Sequence, residues 1–252
     1  MITPWQYPVL FAAAFVAGFV DSIAGGGGLI TVPVLMNLGL APQDALGTNK
    51  LQASFGSGSA AWHYAKAGTV TLRDCQFGFM VSMVGAGAGA WLVRQLDPGL
   101  LRRAIPVLLV GVAVYMLIHP KMGEHDLHAR MPRRMFDLLF GLVIGFYDGF
   151  FGPGTGTFWT MAYVVVLGFS LTRATGSTKV MNFASNISSL VLFLIGGNVL
   201  FGAGLLMGAG QWLGARMGSR MVILRGTKFI RPVFLTVVLA LTAKLLFEAY
   251  RR

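Results

Sequence analysis

Two lysines stand inside otherwise apolar stretches, Lys50 in "GTNK" and Lys179 in "GSTK". A lysine at the centre of a bilayer costs roughly 2.5–3.5 kcal/mol on insertion scales. Two at matching places therefore point to a shared polar cavity. Thr48, Asn49, Gln52 and Ser54 surround the first, and Ser177, Thr178, Asn182, Ser185, Asn186 and Ser188 surround the second. Lys179, Asn182 and Asn186 are spaced at three and four, which places them on one helix face, as are Lys50 and Ser54. Two cations with amide and hydroxyl donors make a site for a small oxyanion. A single lysine of this kind could instead snorkel to a nearby membrane interface; the matched pair favours the cavity.

The lysines do not stand alone. "GFVDSIAGGGG" from Gly18 and "GFYDGFFGPGTG" from Gly145 each join a carboxylate, Asp21 or Asp148, to a glycine-rich break. Glycines can serve close helix packing, but Gly25, Gly26 and Gly27 in one break and Gly152 and Gly154 in the other are poor helix formers. A break within a membrane strands backbone N–H and C=O groups that lipid cannot satisfy, so it survives only against protein or a water-lined cavity. It also creates a helix N-terminus with free N–H groups and partial positive charge. Gly25, Gly26, Gly27, Gly152, Gly154 and Thr155 thus join Asn49, Lys50, Gln52, Lys179, Asn182 and Asn186 as candidate substrate-binding residues. Three roles stay open for Asp21 and Asp148: ion-pairing with the lysines, capping N–H groups in the break, or taking up protons. Asp21 is expected to brace the break or to balance Lys50.

These residues are carried by a membrane chain. Of the 252 residues 55% are hydrophobic and 12% charged, against roughly 25% charged in soluble domains. Mean hydropathy is +0.69, and uncharged runs such as 149–172 and 180–215 reach the roughly 20 residues a span needs. Ten apolar segments are expected, five in each half: 9–24, 29–40, 45–65, 75–93 and 104–118, then 136–151, 155–168, 173–195, 199–215 and 232–248. The second of each five is too short to cross and reads as a re-entrant or broken half-helix. The expected fold is an all-α polytopic membrane protein with about eight transmembrane helices plus these short pieces.

The chain also echoes itself. "ALGTNKL" from Ala45 answers "ATGSTKV" from Ala174, and "IPVLLV" from Ile105 answers "RPVFLT" from Arg231, in the same order as the two glycine motifs. Two homologous repeats are expected, 1–118 and 135–252, joined by a polar linker over 119–134. With four crossings each the repeats are parallel; if the short segments cross as well, they are inverted. Both kinds occur in transporters, and interrupted segments at matching places mark the binding site. In the parallel arrangement Arg94, Arg102, Arg103, Arg216, Arg220, Arg225, Lys228 and Arg231 share one side. An equal number of cations, including Lys66, Arg73, Arg130, Arg133 and Arg134, share the other. The first set is inclined to the cytoplasm.

Other chemistry is not visible. The four histidines form no metal set, Cys75 has no partner for an internal disulfide, and no HExxH, GxSxG or Walker sequence occurs. "GPGTGT" lacks the lysine of a phosphate loop. No cofactor, metal or enzymatic activity is expected. The pI near 10.4 suits loops beside anionic headgroups rather than nucleic acid, and the first apolar segment does not read as a cleaved signal peptide. The expected partners are a small anion and membrane lipid, with homo-oligomerisation left open.

The stretches "GFVDSIAGGGGLITVPVLMNLGLAPQDALGTNKLQA" and "GFYDGFFGPGTGTFWTMAYVVVLGF" resemble the TauE/SafE, or sulfite exporter, family of membrane transporters, and most closely its YfcA-like branch. The resemblance spans nearly the whole chain. It implies export of sulfite or related organosulfur anions across the bacterial inner membrane by a multi-pass protein. The family's glycine-rich turns fall on 25–28 and 152–156, and its A-x-G-T stretch on 45–48. A transporter or channel for another small anion, such as a carboxylate, is the alternative.

Overall fold

A computed structural model describes residues 5–118 and 128–226. Every regular element among them is an α-helix: α1 (Gln6–Ala24), α2 (Gly28–Asn37), α3 (Pro42–Lys66), α4 (Leu72–Gln95), α5 (Pro98–Ile118), α6 (Arg133–Phe150), α7 (Thr155–Leu167), α8 (Leu171–Ile195) and α9 (Phe201–Arg225). The segment expected over 232–248 and most of the linker lie outside the described residues. Among the described residues three helices, α1, α4 and α8, are long and apolar enough to cross a membrane. α3 is as long as α8, at 25 residues, but more polar, because it is the innermost helix. Its Thr48, Lys50, Gln52 and Ser54 are buried among α8, α9 and α1, so these polar residues face protein rather than lipid.

α9 runs ten residues past its expected end at 215. The "GARMGSR" stretch from Gly214, which straddles that expected end, is helical throughout. Arg216 and Arg220, four residues apart, share a face, and their long stems let the charges reach the interface from within the helix.

The two short helices are returning arms of hairpins. At a rise of 1.5 Å per residue α1 is about 28 Å long, α2 about 15 Å and α7 about 20 Å. Leu35 of α2 packs in one cluster with Leu10 and Ala14 of α1, so α2 runs back along α1. In the same way the Arg130 N–H donates to the Val166 carbonyl at 2.8 Å, and Phe136 of α6 packs on Tyr163 of α7 with ring centroids 5.0 Å apart. The breaks at 25–27 and 151–154 are the hairpin tips, and each hairpin brings the chain back to the end from which it set out.

Helix directions follow from close packing at small residues. On α9, Gly210 lies on Phe11, Gly214 on Phe15 and Phe19, and Gly218 on Ser22; Gly204 lies on Leu51 and Gly208 on Phe55. Hence α1, α3 and α9 run the same way. On α4, Gly78 lies on Asp137, Gly85 on Leu142 and Gly89 on Phe146, while the Ser188 hydroxyl donates to the Met83 carbonyl. Hence α4, α6 and α8 also run together. The two groups are antiparallel: along α3, Gly47 meets Phe193, Gly58 meets Phe183, and Tyr64 meets Gly176.

α9 packs with α1 and α3, and α4 with α6 and α8, so residues 1–118 and 135–252 interlock. One expectation changes. Arg94 at the end of α4 and Arg216 on α9 lie at opposite ends of the bundle, not on one side as the parallel arrangement required. The cause is the hairpins: each returns the chain to its starting end, so α3 sets out from the same end as α1, and α8 from the same end as α6.

Candidate functional site

The two tips meet inside the bundle. A Cβ added to Gly25 would lie 2.7 Å from the backbone of Gly156 and Thr157, and one on Gly28 would lie 3.2 Å from Pro153. Gly25, Gly26, Gly152 and Gly154 all adopt positive φ, between 81° and 93°, a region open to glycine and costly for other residues. Close approach and backbone conformation together explain the glycines. The carbonyls freed by the breaks are satisfied by side chains, as a water-poor interior requires. The Tyr64 hydroxyl donates to the Ser22 carbonyl at 2.8 Å, Tyr147 to Pro153 at 2.8 Å and Thr157 to Ala24 at 3.2 Å.

The charges pair across the tips. Lys179 Nζ of α8 donates to Asp21 Oδ2 of α1 at 2.9 Å, and Lys50 Nζ of α3 donates to Asp148 Oδ1 of α6 at 2.6 Å. Lys50 also donates to the Asp148 carbonyl. Each lysine thus takes the carboxylate of the other half, and Asp21 balances Lys179 rather than Lys50. Asp21 serves as a cap as well, since its Oδ1 accepts from the Gly27 N–H at 3.1 Å. Asp148 instead accepts from the Ser185 hydroxyl at 2.6 Å. Both pairs bridge the α1–α3–α9 group and the α4–α6–α8 group.

Around these pairs lies a polar cavity of about 30 Å³, room for a water molecule or two. Asp21, Gly26, Asn49, Lys50, Asp148, Gly152, Gly154, Thr155, Asn182 and Asn186 line it, which brings together most of the residues the sequence singled out. Gly25 and Gly27 lie in the tip behind it. Lys179 sits at its edge, with Nζ 3.3 Å from where a Gly156 Cβ would stand. Gln52 is buried and donates to Asn49 Oδ1 at 2.8 Å, as does Thr31 at 2.7 Å. With its oxygen doubly engaged, Asn49 keeps its NH2 hydrogens as donors for the cavity. The Asn186 amide donates to Ser57 Oγ at 3.3 Å, joining α8 to α3.

Gly28 and Gly156, which the sequence placed in the glycine-rich turns but not among the binding residues, also line the cavity, as do Ala53 and Gln211, which sequence reasoning missed. Gln211 carried a usable signal: it is the one amide in the otherwise apolar first half of α9. It packs into the notches left by Gly18 and Gly56, and its Oε1 is buried with no hydrogen-bond partner among the described residues. Asn182 Oδ1 is in the same condition. Each unpaired buried acceptor costs about 1–3 kcal/mol unless a water or ligand in the cavity supplies a donor. No group of three metal-ligating side chains occurs among the described residues.

The sequence relationships agree with this architecture. The sulfite exporter TauE/SafE family matches residues 10–245. A probable membrane transporter protein of Escherichia coli K12, YfcA, is 45% identical over 250 residues, covering 99% of this chain and 93% of its own. One from Haemophilus influenzae is 43% identical over 240 residues, covering 95% and 94%. Another, ORF9 of a Sinorhizobium species, is 46% identical over 237 residues, covering 94% and 91%. No solved structure matches. With the match spanning the hairpins, the paired lysines and the cavity they enclose, the chain belongs to the sulfite exporter TauE/SafE family of membrane transporters.

Proposed function

We propose that this chain is a multi-pass secondary transporter of the bacterial inner membrane that exports a small sulfur oxyanion, sulfite or a sulfonate. The observation that carries the reading is the meeting of two buried lysines, from α3 and α8, at one polar cavity between two broken hairpins. In this reading the echoing halves are an inverted repeat, with α1, α3 and α4 matched by α6, α8 and α9. Substrate sits between the α1–α3–α9 and α4–α6–α8 groups, and these two groups move against each other to expose it to either side. The cavity corresponds to a closed state that must widen for a sulfonate to enter.

The site is neutral when empty, because each lysine holds an aspartate. An incoming anion therefore takes the place of a carboxylate on a lysine. Asp21 is the carboxylate to yield, since its side chain is 17% exposed while that of Asp148 is 5% exposed. The inside-negative potential drives anion loss by about 2.3 kcal/mol per charge per 100 mV, so export needs no ATP site. The same lysines already accept carboxylates within the protein. That observation favours a small carboxylate as the second substrate class.

The helix directions also propose an orientation. Lys66, Arg73, Arg130, Arg133, Arg134, Arg173, Arg216, Arg220 and Arg225 lie toward one end of the bundle, against Arg94, Arg102 and Arg103 at the other. Cytoplasmic loops carry the excess of Lys and Arg, so the α3–α4 turn faces the cytoplasm. This reverses the side inclined to the cytoplasm for Arg94, Arg102 and Arg103.

Anion-dependent thermal stabilisation of the purified protein tests the site, with sulfite, sulfate, thiosulfate, sulfoacetate, taurine and lactate at constant ionic strength. A selective rise that Lys179→Ala abolishes, followed by flux of that anion into liposomes, supports the reading. Wild-type affinity in both Lys50→Ala and Lys179→Ala would remove the lysines from the site.

A further inference from the structure

Away from the central cavity, α3 and α9 part toward their C-terminal ends to form a cleft of about 680 Å³. Lys66, Arg216 and Arg220 line it together with His63, Trp62 and Trp212, and among the described residues no carboxylate does. None of the three cations has an ion-pair partner among the described residues. Arg216 lies over the Trp212 ring, its guanidinium carbon 5.8 Å from the centroid, and His63 Nδ1 is held 2.7 Å from the Ser59 carbonyl. Arg216 is thus set on a packed aromatic support, beside a fixed His63 ring.

The far side of Trp62 is of opposite character. There a groove of about 800 Å³ runs between α3, α4 and α8, walled by Ala61, Phe79, Met80, Val180 and Phe183. Trp62 and Gly58 line both spaces. Trp62 is 63% exposed and stands as the ridge between a basic cleft and an apolar slot. Gly58 is small, and a Cβ there would lie 3.0 Å from the Phe183 ring.

We propose that this paired surface is a binding site for an anionic phospholipid. The phosphate sits among Lys66, Arg216 and Arg220, the Trp62 indole lies at headgroup level, and an acyl chain fills the groove along α4 and α8. Three observations select an amphiphile over a free anion. The cations are not enclosed, an apolar slot adjoins them, and an interfacial tryptophan joins the two spaces. Basic pockets between transmembrane helices beside an apolar face bind acidic headgroups in this way, and tryptophan favours the boundary where one end is apolar and the other wet. The site lies at the end of the bundle that carries most of the described cations, and so in the leaflet that faces the cytoplasm. Because α3 carries both this cleft and Lys50, lipid bound here braces a wall of the central cavity.

Native mass spectrometry and thermal stability of the whole protein in neutral detergent test the site. The probes are phosphatidylglycerol, phosphatidylcholine and inorganic phosphate at matched ionic strength. Phosphatidylglycerol is expected to remain bound and raise the melting temperature, with at least tenfold weaker effects from phosphatidylcholine and phosphate. Arg216→Gln with Arg220→Gln is expected to weaken phosphatidylglycerol at least tenfold, while Arg73→Gln, basic but outside the cleft, leaves it unchanged. Should the double variant fail to fold, Lys66→Gln gives the same reading with a smaller loss. Equal binding of both phospholipids, equal stabilisation by phosphate alone, or unchanged affinity in the cleft variants would each overturn the proposal.

Discussion

The two ion pairs at the centre are built from matching residues and yet are not alike. Asp148 is enclosed: Lys50 holds one oxygen, Ser185 holds the other, and both members of the pair are nearly without solvent contact. Asp21 is held by Lys179 and by one backbone N–H, and its side chain keeps partial access to the cavity. The source of the difference is a single position. Six residues after Lys179 stands Ser185, which donates to Asp148; six residues after Lys50 stands Gly56, which donates nothing and leaves a notch filled by Gln211. In the proposed reading one pair is the fixed fastening between the helix groups and the other the exchangeable half of the site.

The largest effect should come from breaking the fastening. Asp148→Ala leaves Lys50 buried and uncompensated, and loss of one member of a buried pair costs about 3–5 kcal/mol. Thermal unfolding in detergent is expected to show this as a severe loss of folded protein. Adding Lys50→Met is expected to recover much of it, because a pair replaced by apolar residues of similar size is often close to neutral. A double variant no better than Asp148→Ala would mean that Asp148 acts through Ser185 and the tip rather than through Lys50.

The corresponding change on the other side should be milder for stability and stronger for transport. Asp21→Ala is expected to cost about 1–3 kcal/mol, between the values for exposed and enclosed pairs. Asp21→Asn keeps an acceptor for the Gly27 N–H but cannot exchange charge with an anion. In liposomes it is expected to retain folding while its flux of the anion falls severalfold, because no carboxylate returns to Lys179 to displace the bound anion. Unchanged flux in active Asp21→Asn protein would reduce Asp21 to a cap.

Much of this was legible in the sequence, for reasons that separate what was found from what was missed. The breaks at 25–27 and 152–154 were visible because glycine clusters oppose helix formation locally. The stripe of Lys179, Asn182 and Asn186 was visible because helical periodicity is also local. Pairing of Asp21 with Lys179 was not, since it joins positions 158 apart and nothing in either motif says which lysine is nearer. Helix direction was equally hidden, because it turns on whether α2 returns or stops, a matter of packing between Leu35 and Leu10. The orientation of the basic residues changed with it. The cationic end of α9 was misplaced because arginines in a membrane helix look like a terminus until their stems are seen to reach the interface.

The smallest and most specific test exchanges the character of the two pairs. Gly56→Ser alone should be unfavourable, because its Cβ would stand 2.6 Å from Gln211 Cγ and 3.0 Å from Cδ. Gln211→Ala clears that space, removes an amide from the cavity wall and leaves a void. Together the two substitutions place a serine on α3 as Ser185 stands on α8, with room to donate to Asp21. A hydrogen bond to a charged group contributes about 1.5–3 kcal/mol, and the cavity that shortening Gln211 leaves is common to the double variant and to Gln211→Ala. The double variant is therefore expected to be about 2 kcal/mol more stable than Gln211→Ala alone. Its affinity for the transported anion is expected to fall severalfold in the thermal-shift titration, since the anion must now displace a carboxylate held as firmly as Asp148. Stabilisation without loss of anion affinity would show that the anion does not compete with Asp21, and that the exchangeable pair lies elsewhere.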